Sequence, residues 1–157
     1  FAALPEEVFS WRPGDGEFSC GDLLRHLIQA ERFWVRLLTS AARGEVYDPF
    51  GLGDLDLASR VEAFRQPNER AAGDERFGAT FAAGLELWSE QEALSRSRIA
   101  EIPAAALGRS VTHPLSGLTA SVEEMLWVMI EHEAHHRGQI SAYMKVLEVA
   151  HPADLWS

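Results

Sequence analysis

Apolar side chains recur at helical spacing in three stretches of the chain. From Cys20 to Gly44, residues Leu23, Leu27, Ala30, Phe33, Trp34, Leu37 and Leu38 fall at the three- and four-residue intervals that line one face of an α-helix. Ser19, with Asp22 three residues on, has the form of a capping box, and Gly44 is a plausible stop. A second stretch begins near Thr80 and continues through Phe81, Leu85, Leu87, Trp88 and Leu94 to about Ile99, with Pro103 beyond its end. The third opens at Ser121, again with a capping partner in Glu124, and extends to about Val149. His151-Pro152 closes it, and Trp156 is expected to tuck the tail against the body.

The remaining segments carry turn signals. The first nine residues, FAALPEEVF, read as the tail of a helix ending before Trp11-Arg12-Pro13-Gly14, with Gly16 continuing the loop. Residues 44–78 are broken by Gly44, Pro49, Gly51, Gly53, Pro67 and Gly73, which predicts a long connection, a lid or an interface, with a short helix over Asp56–Phe64. Val111, His113-Pro114 and Ser116-Gly117 indicate an extended piece and a turn before the last helix. The expectation is an all-α protein.

Composition narrows the function. The chain has 157 residues, 46% of them hydrophobic and 24% charged, which fits one globular domain over residues 1–157 with no internal repeat. It begins at Phe1, so a first helix can be truncated. No apolar run approaches the roughly 20 residues of a membrane span, and no signal peptide is visible. Lys and Arg number 14 against 24 Asp and Glu, a net charge of -10 without a basic cluster, which argues against nucleic acid as a partner. The single cysteine, Cys20, excludes an intrachain disulfide and fits a reducing, cytoplasmic setting. Its place at a helix start can lower a thiol pKa, but a buried or tolerated cysteine is the preferred reading.

The candidate chemistry is concentrated in EHEAHHRGQI, Glu131 to Ile140, which holds His132, His135 and His136. His132 and His136 lie one above the other on a helix and can share a divalent metal. A bound zinc generally takes at least three protein ligands, so a third is required. His26, on the apolar side of the first long helix, is the other histidine in a helix interior. Alone it reads as a packed core residue; beside a paired-histidine helix in a bundle it becomes a ligand candidate. His113, held extended before Pro114, reads as a loop residue that could approach the site. His132-Glu133-Ala134-His135-His136 also matches the zincin pattern, with Glu133 as general base and Glu148 or His151 as a third ligand. That reading lacks the strands a protease needs and is disfavoured.

The longer string HEAHHRGQISAYM after LTASVEEMLWVMIE resembles the closing helix of the DinB/YfiT-like metalloenzyme family. DLLRHLIQAERFW resembles that family's second helix with its single histidine, and HPLSGLT its lead-in to the last helix. The resemblance covers most of the chain outside residues 44–78. It implies an up-and-down four-helix bundle, commonly a homodimer, whose matching metal positions are His26, His132 and His136. His135 matches no metal position; a His132–His135 pair is geometrically possible, and only the resemblance argues against it.

The same resemblance implies a divalent ion, zinc or nickel first, with iron or manganese as further candidates. It also implies metal-assisted thiol transfer or hydrolysis, with a low-molecular-weight thiol and a small electrophile as partners. The competing class is a metal-binding stress or interaction protein without turnover, and a third is a bundle whose three histidines bind metal only weakly. Gln29, Glu31, Glu133, Arg137 and Gln139 flank the histidines and either orient ligands or serve the helix surface. No catalytic base is assigned.

Overall fold

A computed structural model describes residues 1–48, 56, 58–59 and 75–152. Within them the protein is mostly helical, with three long helices and one small sheet. Helix α1 spans Cys20–Arg43, α2 Phe81–Ala100 and α3 Val122–Val146. Strands β1 (Ser110–Thr112) and β2 (Thr119–Ser121) form an antiparallel hairpin with Val111 opposite Ala120. The sheet departs from the all-α expectation, although the extended piece and turn that build it were anticipated. Among the described residues, no helix is long and apolar enough to cross a membrane.

Both capping boxes form. The Ser19 hydroxyl accepts from the Asp22 amide while Asp22 accepts from the Ser19 amide, each at 3.0 Å. Ser121 and Glu124 repeat the arrangement at the start of α3. Gly44 ends α1 in the left-handed conformation, φ 76°, which a residue without a Cβ adopts at little cost.

Two expectations need correction, and the inner face of α2 is a finding of the structure alone. The segment FAALPEEVF is a 3₁₀ turn over Glu6–Val8, not a helix tail. A residue before proline is driven out of the α region, so Leu4-Pro5 breaks any helix there, and Phe9 then turns in against Gly21 and Phe81. Helix α3 stops at Val146 rather than Val149, because Glu148 adopts φ 56°. The inward stripe of α2 is Phe81, Gly84, Gln91 and Ser95, whereas Leu94 is 47% exposed. Most of the helix expected over 56–64, and Trp156, lie outside the described residues.

Helix α1 is the shared partner of the other two. Its first half packs with Phe81, Ile140, Tyr143 and Met144, and its second half with Val111, Val122, Met125 and Met129. Since the start of α1 meets the end of α3, those helices are antiparallel. Phe81 beside the start of α1 makes α2 parallel to it. Gly84 permits close approach of α1 and α2, since a Cβ there would lie 2.5 Å from a Leu24 methyl. The two apolar clusters leave a gap at mid-height of the α1–α3 seam, and the histidines fill it.

Candidate metal centre

The inward face of α3 reads Val122, Met125, Met129, His132, His136, Ile140 and Tyr143, a three- and four-residue stripe with imidazoles at its centre. Across the seam, His26 extends from α1. The Nε2 of His132 lies 3.2 Å from that of His26 and 3.1 Å from that of His136. The ligand atoms of all three histidines fall within 4.8 Å of one another. Ligands about 2.0–2.1 Å from a shared tetrahedral ion are separated by about 3.4 Å, so the spacing suits a metal ion held between three Nε2 atoms.

The surroundings favour neutral, correctly turned rings. Burial, then the neighbouring imidazoles of His136 and His132, pushes His26 down to about 3. Burial followed by His136 pushes His132 down to about 4, and burial also lowers His136. Neutral imidazole is the metal-binding form. The Nδ1–H of His136 donates to Gln139 Oε1 at 2.5 Å, which leaves the Nε2 lone pair facing its neighbours. Phe18 stacks on His26, centroids 5.4 Å apart and planes 26° off parallel. Three imidazole nitrogens therefore converge with no complementary charge between them, an arrangement that suits a cation.

The other candidates go elsewhere. His135 is exposed, its ring edge-on to His136, and it is outside the ligand group. His113 accepts from the Ser116 amide through Nδ1 at 3.1 Å and packs on Phe33 and Trp34. It is a loop residue, lowered in pKa by burial. His151 hydrogen-bonds Ser141, and neither it nor Glu148 joins the three-histidine group.

Glu133 projects about 100° around α3 from His132. It lines a cavity of about 210 Å³ with Leu27, Trp88 and Arg137. It is outside the three-histidine ligand group. Cys20 is fully buried and burial raises its thiol to about 11, so it is inert. Glu31 is raised mainly by burial, opposed by a hydrogen bond from Ser95. Sequence periodicity missed Phe18, a loop residue. Its place just before the Ser19 cap is the staple position, which was the available signal.

A model of the DinB superfamily matches residues 1–140, so the chain belongs to that superfamily. No curated protein and no solved structure matches it.

Proposed function

For this chain of the DinB superfamily, we propose that His26, His132 and His136 bind one divalent metal ion. Zinc or nickel comes first, with iron or manganese as further candidates, and the site serves thiol-dependent transfer to, or hydrolysis of, a small electrophile. The observation that carries this reading is the convergence of three Nε2 atoms from two helices, all within 4.8 Å. A divalent ion held by three imidazoles keeps positions open and acts as a Lewis acid that lowers the pKa of water or a thiol. The chain's own contribution is orientation. Gln139 fixes the tautomer of His136, Phe18 holds the ring of His26, and the apolar clusters above and below restrict water.

The wider assembly belongs to the same proposal. It includes the up-and-down four-helix bundle that the family resemblance implies. Homodimerisation, a cytoplasmic location and a low-molecular-weight thiol partner are likewise proposed. The exposed Trp127 and Ile130 on the outer side of α3, 62% and 53% accessible, support a self-association face.

One observation favours the non-catalytic alternative, a metal-binding stress or interaction protein. Among the described residues no carboxylate hydrogen-bonds to any of the three rings. The deciding experiment is elemental analysis of the untagged protein beside His26→Ala, His132→Ala, His136→Ala and His135→Ala. Near one metal per chain, lost in the first three variants and kept in the last, is the expected result. No metal after reloading with zinc or nickel defeats the proposal. Turnover assays with a thiol and an electrophile then separate enzyme from binding protein.

A further inference from the structure

One buried side-chain polar atom among the described residues lacks a hydrogen-bond partner: Nε2 of Gln29. Buried amide groups in folded proteins are nearly always paired, and a bare one costs stability. Gln29 lies on α1 one turn beyond His26, so the two side chains are neighbours on the helix surface. Polar groups nearby on that rim are satisfied. Asp22 takes bonds from Ser19, Arg12 and Arg25, while Nε of Arg25 donates to the Gly78 carbonyl. The imidazoles supply no acceptor to Gln29 either.

A dication with three neutral protein ligands attracts an anion to its open side. A sealed N–H donor beside those ligands is a group that such an anion can satisfy. We propose that Gln29 is the ligand-selecting residue of the three-histidine site, and that its side-chain N–H donates to an anionic acceptor lodged there, a thiolate or a carboxylate. This rests on the metal-binding reading above. The orphan amide is then stability given up in the empty protein and recovered as affinity when an acceptor arrives.

The test uses the cobalt(II)-loaded full chain, with the visible spectrum following titration by azide, by 2-mercaptoethanol and by neutral pyridine. Gln29→Leu is expected to keep the cobalt stoichiometry. It should weaken azide and thiol binding about tenfold, the size of a lost charge-assisted hydrogen bond, and leave pyridine unchanged. Gln29→Glu should weaken the anions further by repulsion. In metal-free protein, Gln29→Leu should raise the urea midpoint, because an unpaired donor is exchanged for an apolar side chain. A merely structural glutamine would lower that midpoint and leave the anion affinities alone. Cobalt bound normally, with azide affinity equal in native and Gln29→Leu proteins, overturns the role of Gln29 and spares the metal reading. No cobalt in the native protein removes both.

Discussion

Helix α1 has polar groups buried on two flanks, and the two flanks differ in how those groups are paired. Toward α2, Arg32 Nε donates to Gln91 Oε1 at 3.0 Å, Gln91 Nε2 donates to Ser95 Oγ at 3.1 Å, and Ser95 bonds to Glu31. Donors there are matched to acceptors of complementary kind. Toward α3, three nitrogens of one kind crowd together at 3.1 and 3.2 Å, with no complementary charge. Burial of polar atoms therefore says little about function on its own. Complementary donors and acceptors stabilise the fold by themselves, whereas like atoms facing each other are the feature on which the metal-binding proposal rests.

The largest expected contrast comes from metal loading. A site filled at about 100 times Kd adds about 2.7 kcal/mol, which for a chain of this length raises Tm by about 5–10 °C. Calorimetry with zinc should show that increment in native protein and in Gln91→Leu, and none in His132→Ala. Acid comes next. His26 near 3 and His132 near 4 in the fold, against 6.5 in the unfolded chain, mean that the unfolded state takes up protons first. The metal-free protein should hold full stability above about pH 6.5 and lose it progressively toward pH 4. In urea titrations His26→Leu should flatten that slope, and an unchanged slope would contradict neutral buried rings.

Gln139→Leu frees the His136 ring and should cost about 10–100-fold in metal affinity, read by competition with a chelating dye while the metal-free fold is intact. On the other flank, Gln91→Leu strands Arg32 and should cost about 1–2 kcal/mol in urea, with metal content unchanged. His135→Ala should alter neither measurement. Metal loss in that variant would transfer the site to the His132–His135 pair.

Much of this was legible because local signals and tertiary packing agree. Ser19 with Asp22, Ser121 with Glu124, and Gly44 act within a few residues, so the starts of α1 and α3 and the end of α1 fall where the sequence puts them. That His26, His132 and His136 lie close together was likewise readable, since helical spacing pairs two of them and the family resemblance supplies the third. The inner face of α2 was not. Leu85, Leu87 and Leu94 outcompete Gln91 and Ser95 in any hydropathy pattern, yet the latter two are buried because α1 supplies their partners. The N-terminal turn was missed for a similar reason: Phe9 is fixed by Gly21 and Phe81, far along the chain.

The first turn of α2 is completed from outside the helix. The Glu6 carboxylate accepts from the Phe81 and Ala82 amides at 2.9 and 3.0 Å, across sequence separations of 75 and 76 residues. The start of α2 is thus fastened by the opening segment of the polypeptide. That makes its closure a late event in assembly, since a span of that length loses more chain freedom than the local boxes that start α1 and α3. The same latch is a weak point in the finished molecule. Hydrogen exchange at Phe81 and Ala82 should follow release of residues 1–9 rather than fraying of α2, and Glu6→Ala should hasten it there first.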